Sequence, residues 1–256
     1  MTNSGTAVGK TDSETIQVLK DRRSIRKYAD IPVSDAQVEA ILSGALRAPT
    51  SSNLHAYSVI VVRDQVTKAQ LAAPCGNQKH IVDCPVFLAF CADLTRIEAA
   101  FERYGHNLED NNLEIGLVAS IDASLVGMSA YVAADSLGIQ GVMIGAIRNK
   151  PEVIADILGL PRRVYAVFGM CLGYPAETPK QKPRMPVSGI VHYERYDAAA
   201  ALQSIDPYNA RLKAHYDSVG KDSNDASWTF EVDAKFSTRP RDGLRAALKT
   251  RGFDFT

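Results

Sequence analysis

The sequence lacks the short motifs that mark the commonest chemical sites in proteins. It contains no H-E-x-x-H, and its 5 histidines are scattered, so no metal site is indicated. Its 4 cysteines form no C-x-x-C pair, which argues against a zinc site or a thioredoxin-type redox site. A G-x-G-x-x-G dinucleotide fingerprint, a Walker loop and a G-x-S-x-G nucleophile elbow are all missing. What remains for chemistry is a set of cationic and amide side chains.

An excess of charge of one sign and a long uninterrupted apolar run are also missing. The 256 residues carry 29 basic and 29 acidic side chains, so the formal net charge is +0. A neutral chain has no overall field that attracts nucleic acid or an anionic membrane, and we expect neither as a partner. The most apolar stretch, 116–139, is interrupted by Ser and Asp residues, which argues against a membrane span. The N-terminus shows no signal-peptide pattern, so we expect a cytoplasmic protein.

Apolar periodicity predicts helices and strands that alternate along the chain. Ser34 and Gln37 have capping-box spacing and predict a helix start, and the apolar stripe that follows supports it. A helix that is apolar on several faces is typical of a buried element, which we expect at 113–137. The order of elements predicts a mixed sheet flanked by helices in one domain over 13–256. The predicted strands are 57–62, 82–92, 140–144 and 164–172, the other predicted helices include 151–158, 198–219, 228–236 and 242–251, and residues 1–12 are expected to be disordered.

Two basic clusters are the strongest functional signals. Residues 22–26, with the sequence RRSIR, place three guanidiniums and a hydroxyl within five positions. The guanidinium fork suits phosphate oxygens, and residues 182–184, with the sequence KPR, have the same character. We hypothesise that the two clusters meet around one small phosphate and its attached ring system. The alternative is ordinary surface charge, which is the usual environment of Arg and Lys.

Two polar loops and a glycine add neutral donors. Residues 48–53 offer hydroxyls and an amide, although an ordinary polar turn would have the same composition. Asn77 and Gln78 each supply an amide donor and acceptor, and Gly145 at a strand end would let the backbone approach a ligand closely. Flavin mononucleotide (FMN) needs cations for its phosphate, amides for its pyrimidine edge and bare backbone near its reactive ring nitrogen. The inventory fits FMN but does not by itself select it over other phosphorylated ligands.

Five segments follow one another along the chain: RRSIRKY at 22–28, APTSSNLH at 48–55, GVMIGAIRN at 141–149, LGYP at 172–175 and KPR at 182–184. This ordered set of motifs resembles the nitroreductase family across residues 13–253. The loop GNQKH and the C-terminal extension look most like its larger group, the NADPH-preferring oxygen-insensitive nitroreductases and NADPH–FMN oxidoreductases. The resemblance implies an α+β fold with a largely antiparallel central sheet, a long buried helix and a C-terminal helical excursion at about 196–251. It also implies an intertwined homodimer with one tightly bound FMN per subunit.

The resemblance also implies which residues contact the cofactor. The two basic clusters match the family's phosphate clamps, and the loop 50–55 matches one that reaches the flavin of the partner subunit. His55 stands where many members have Gln, and Ala146 stands where Gly is frequent. Arg239 resembles a position that some relatives use for the 2′-phosphate of NADPH, although it could equally be a surface residue. The implied FMN-binding residues are Arg22, Arg23, Ser24, Arg26, Thr50, Ser51, Asn53, His55, Gln78, Ile144, Gly145, Ala146, Lys182 and Arg184.

The activity that this resemblance implies is an FMN-dependent NAD(P)H oxidoreductase. Two-electron ping-pong hydride transfer would carry electrons from NADPH or NADH to nitroaromatics, quinones or free flavin. No separate catalytic side chain is expected, because the flavin carries the chemistry. Two alternatives stay open, namely a non-enzymatic FMN-binding or storage protein and a different flavin reaction on the same fold, such as dehalogenation or oxidation of a metabolite.

Overall fold

The computed structural model describes residues 11–108, 113–221, 227–238 and 240–255. The N-terminal tail that the sequence predicts to be disordered lies outside the described residues except for its last two positions.

The described chain divides into two compact units. The first comprises the described residues up to Pro179 together with those from Gly243 onward, and the second is Lys180–Asp242. The single domain predicted over 13–256, with an excursion at 196–251, stays a prediction, because a compact unit is not by itself an independently folding domain.

A four-stranded sheet forms the centre of the first unit. The strands β1 (Tyr57–Val62), β2 (Val86–Asp93), β3 (Gln140–Ile144) and β4 (Val164–Gly173) lie in the order β1-β2-β4-β3. Every described strand pair is antiparallel, which confirms the α+β class with a largely antiparallel sheet. Side chains of β2 alternate between the two faces and are buried along the whole strand, as expected for a central strand covered on both sides.

Eleven α-helices occur in the described residues. The helix start predicted at Ser34 is confirmed, because Ser34 and Gln37 form a reciprocal capping box. A hydroxyl also caps the first helix, where Ser13 Oγ accepts the Ile16 N–H at 3.2 Å. The helices are α1 (Glu14–Asp21), α2 (Asp35–Ala45), α3 (Gln65–Ala72), α4 (Lys79–Asp83), α5 (Thr95–Glu102), α6 (Leu113–Ser136), α7 (Pro151–Leu158), α8 (Ala198–Gln203), α9 (Ile205–Ser218), α10 (Trp228–Phe236) and α11 (Leu244–Thr250).

The long helix α6 packs against one face of the sheet. Its small residues Ala123, Ala130 and Ala134 share a core with Leu88 and Phe90 of β2. By length and composition alone α6 could cross a membrane, but a core helix of this kind passes the same test. The long helix expected at 113–137 is confirmed, and the face that meets the sheet is buried, whereas apolar residues on another face are exposed in the single chain.

The helix predicted over 198–219 is wrong as a single element, because α8 ends and α9 begins around Ser204. Pro207 explains the break. Its ring would clash with the carbonyl of Gln203 in a continuous helix, and its nitrogen cannot donate a hydrogen bond. The Ser204 hydroxyl donates instead to the Ala201 carbonyl at 2.7 Å.

Candidate functional site

The arginine segment 22–28 lies along one end of the sheet. The Ile25 N–H donates to the Gly141 carbonyl of β3 at 3.0 Å, and Tyr28 pairs with Pro175 just beyond β4. Ile25 is only 1% exposed, while Arg26 beside it is exposed. The apolar residue thus anchors the segment and leaves a cation next to it at the surface. The segment is therefore ordered, with its apolar side packed inward.

Two residues that sequence reasoning did not single out hold this segment in place. Tyr131 of α6 lies beneath Arg22, whose guanidinium carbon is 5.4 Å from the ring centroid, and its hydroxyl donates to the Arg23 carbonyl at 2.6 Å. Burial raises the pKa of the Tyr131 hydroxyl, so it stays a hydrogen-bond donor. The Glu177 carboxylate accepts the Arg26 N–H at 2.7 Å and the Lys27 N–H at 3.2 Å.

The loop that contains Gln78 adjoins the arginine segment. Gln78 is the N-cap residue immediately before α4, and its side-chain amide donates to the Cys75 carbonyl at 2.8 Å. Burial and then the charge of Arg26 lower the pKa of His80, whereas Asp83 and Glu177 act in the opposite direction. His80 is therefore neutral at pH 7 and lies within electrostatic reach of Arg26.

Two buried polar atoms in this region test whether a ligand fits. Within the described residues, Arg23 Nε and His80 Nε2 are buried and have no hydrogen-bond partner. Buried polar groups in proteins almost always find partners, because leaving one unpaired costs about 1–3 kcal/mol. A polar, anionic ligand held by the arginine segment would supply such partners. The donor set is therefore of the kind that a phosphorylated cofactor requires.

The end of β3 presents backbone without bulky side chains. Ile144 ends the strand and is buried, and a 3₁₀ turn continues over Gly145–Arg148. A Cβ on Gly145 would meet only Arg148 Nη2, at 3.6 Å, among the described atoms within 4 Å. The chain's own packing does not require glycine here, which leaves close approach of a ligand as a reason for it. The methyl of Ala146 is half-buried beside this position.

The loop 50–55 is strained and tied to α6. Ser52, Asn53 and His55 have φ values of 46°, 57° and 50°, which a residue with a side chain adopts at a cost of about 1–2 kcal/mol. His55 Nε2 lies 3.0 Å from Asn53 Oδ1, so the imidazole forms a hydrogen bond within its own loop. The buried Asp122 carboxylate accepts the Ser51 N–H at 3.0 Å.

The loop and the arginine segment are anchored at different points of α6. Asp122 and Tyr131 are nine residues apart, which corresponds to about 14 Å along a helix. Ser24, like Arg22 and Arg23, is half-buried, whereas Ser51, Asn53 and His55 are exposed. The arginine segment thus contacts the start of β3 at Gly141 and lies near His80 of the Gln78 loop, whereas the 50–55 loop is anchored separately on α6.

The second basic cluster is held on helix α9 in the second unit. Lys182 Nζ donates to the Tyr216 hydroxyl at 2.7 Å and lies 4.8 Å from its ring centroid. Tyr216 donates in turn to Glu231 Oε1 at 2.5 Å, and burial together with Glu231 raises the pKa of Tyr216 to about 12. Arg184 is exposed, and its carbonyl accepts a hydrogen bond from Arg211 at 2.9 Å. The predicted Arg239 lies outside the described residues.

Comparison with known proteins gives consistent matches along the chain. The profile of the Nitroreductase family matches residues 19–174, and that of the Nitroreductase family, C-terminal domain, matches residues 182–256.

Individual relatives are similar over most of their length. The oxygen-insensitive NADPH nitroreductase of Salmonella typhimurium is 36% identical over 86% of this chain and 90% of its own length. The FMN reductase [NAD(P)H] of Bacillus subtilis is 33% identical over 94% of this chain and 98% of its own. The solved structure of the hypothetical oxidoreductase YcnD from Bacillus subtilis matches with a TM-score of 0.91 and 32% identity, over 95% of this chain and 99% of that one.

Proposed function

This chain belongs to the nitroreductase family, and from that premise we propose that it is an FMN-dependent NAD(P)H oxidoreductase. Its acceptors would be small, flat, electron-poor molecules such as nitroaromatics, quinones or free flavin. The names of its relatives, an FMN reductase and an oxygen-insensitive NADPH nitroreductase, support both the cofactor and the acceptor class. The observation that carries the proposal is the arginine segment 22–28, whose residues 22–26 present cations beside a buried unpaired Arg23 Nε.

We propose that FMN binds with its phosphate at the basic clusters and its ring at the end of β3. When bound, FMN supplies a hydride acceptor that a reduced nicotinamide can reduce and that an oxidant can reoxidise. The cations proposed to bind and orient the phosphate are Arg22, Arg26, Lys182 and Arg184. The Gln78 amide faces the pyrimidine edge.

The remaining residues of the proposed site act through shape and charge. The Gly145 and Ala146 backbone would lie against the ring, and a side chain larger than methyl at either position would exclude the ring. Arg23 and Ser24 complete the contacts to the phosphate and ring, and Ile144 supports the turn from within the core. Cations beside a ring that gains electrons stabilise the added negative charge. No side chain is required as an acid or base.

We propose that two chains form the complete site. On α6, Leu117, Ile121, Leu125 and Met128 are exposed and recur at helical spacing, so an apolar stripe lies opposite the buried face. An exposed apolar stripe of this kind is typical of an interaction surface. A second copy of the chain would cover it, and the loop 50–55, anchored on the same helix, would reach the partner's FMN through Thr50, Ser51, Asn53 and His55.

Nicotinamide oxidation tests the enzymatic activity. We expect the FMN-loaded protein to oxidise NADPH or NADH at a rate that depends on an added quinone, because the flavin must be reoxidised between turnovers. Parallel assays with the two nicotinamides determine the preferred reductant. Bound FMN without turnover with either nicotinamide would identify a flavin storage protein instead. A cytoplasmic location stays a prediction.

A further inference from the structure

A buried carboxylate in the middle of α6 is bonded to the backbone of the 50–55 loop. Asp122 is 0% exposed. Its Oδ1 accepts the Ser51 N–H at 3.0 Å, and its Oδ2 accepts the Ala56 N–H at 3.3 Å. Within the described residues, no basic side chain forms an ion pair with it. Both oxygens therefore serve the two ends of one loop.

A guanidinium holds the same loop through the opposite backbone groups. Arg96 donates to the His55 carbonyl at 3.0 Å and also to the Tyr57 carbonyl. Asp93 fixes this guanidinium with an ion pair of 3.2 Å. Although burial opposes it, hydrogen bonds from Ser58 and Thr95 and the charge of Arg96 keep the pKa of Asp93 below its ordinary value, so the pair stays charged.

The loop between these anchors is the strained one. Ser52, Asn53 and His55 all have positive φ, a conformation that persists only where the surroundings over-determine it. A carboxylate that accepts the loop's N–H groups and a guanidinium that donates to its carbonyls provide that constraint. A carboxylate only accepts hydrogen bonds and a guanidinium only donates them, so neither side chain could bind the groups held by the other. Together they fix the orientation of the loop backbone.

We propose that Asp122 is a positioning residue for FMN binding: it fixes the 50–55 loop in the conformation that contacts the flavin. The inference rests on the proposed function and extends it to a residue buried on α6, away from the basic clusters. A buried carboxylate without a cationic partner is costly, and an apolar side chain would suit the core of α6 better. Its two bonds to the loop account for its presence there.

The test is the isosteric substitution Asp122→Asn. An asparagine side chain has one oxygen and one NH₂ group. Its oxygen can accept a hydrogen bond from only one of the two N–H groups, and its NH₂ group, itself a donor, would face the other. We expect the dissociation constant for FMN to rise by at least about ten-fold, since hydrogen bonds to charged groups have this weight. We also expect faster hydrogen exchange at Ser51 and Ala56 and a shifted visible absorption band of the bound flavin.

Asp135→Asn is the matched control, because Asp135 is on the same helix and accepts a hydrogen bond from Gln140 at 2.6 Å without touching the loop. It should leave the FMN affinity and the absorption band unchanged. Measurements at a temperature at which every variant is folded exclude a general loss of stability. Arg96→Gln is a second variant, at a half-exposed position, and it should also weaken FMN binding. If Asp122→Asn does not fold, the FMN affinity of Arg96→Gln tests whether the loop anchors position the flavin.

The outcomes separate the two proposals. If the wild-type protein binds FMN, and Asp122→Asn or a folded Arg96→Gln binds FMN equally tightly and with the same spectrum, the positioning role alone is overturned. A wild-type protein that binds no FMN overturns the proposed function and this inference with it.

Discussion

Replacing Arg26 and Lys182 together by alanine is expected to weaken FMN binding by about 10²- to 10⁴-fold while riboflavin binding changes little. Each side chain would lose a charge-assisted hydrogen bond to the phosphate, and such bonds contribute about 1.5–3 kcal/mol each. Riboflavin has no phosphate and keeps its ring contacts. Titration of each apoprotein with the two ligands, followed by flavin fluorescence, measures the difference.

The control removes the same charge elsewhere. Arg103 and Lys213 are exposed cations, one in each unit, and their joint replacement by alanine should leave both affinities unchanged. The single variants Arg26→Ala and Lys182→Ala carry a further test, since each should weaken FMN binding if both clusters reach one phosphate. Equal loss of FMN and riboflavin affinity in the double variant would count against the phosphate role.

Placing glutamates at Ile121 and Leu125 is expected to convert the proposed dimer into monomers and to abolish tight FMN binding. Ile121 is 55% exposed in the single chain, and a dimer through α6 would bury both new charges in an apolar interface. An unpaired buried charge costs several kcal/mol, so the dimer dissociation constant should rise by at least about 10³-fold. Analytical ultracentrifugation combined with flavin titration follows both effects.

Two exposed valines away from α6 provide the matched control for the glutamate substitutions. Val66 on α3 and Val153 on α7 are exposed, and glutamates there should leave the mass and the FMN affinity unchanged. If the Ile121 and Leu125 variant is monomeric yet binds FMN as tightly as wild type, the site is complete within one chain. If it remains a dimer, the α6 stripe is not the interface.

Much of the fold could be predicted from the sequence because local signals agree with the packing. The bounds of β1, β3, α7 and α10 match the predictions, since β-branched runs, caps and Pro at the first helical position mark them. The break at Ser204 was not predicted, although Pro207 is a signal for it: a proline in a helix interior removes a backbone hydrogen bond and clashes with the carbonyl four residues earlier, so a helix can begin just before it but not continue through it.

The candidate site could be predicted only in part. The cations of 22–26 and 182–184 were recognisable by type and order. Their supports were not, because Tyr131, Glu177 and Tyr216 act over long sequence separations that periodicity does not report. One signal was available for Asp122, an acidic residue in a helix otherwise apolar on several faces. Its partners in the 50–55 loop lie about 70 residues away, so only the folded chain identifies them.

The visible absorption spectrum of the purified protein tests the central claim most directly. The account predicts a yellow protein, or a colourless apoprotein that gains a flavin band when FMN is added and keeps it through gel filtration, with FMN released on heat denaturation in stoichiometric amount. A folded protein that stays colourless after incubation with FMN would contradict it.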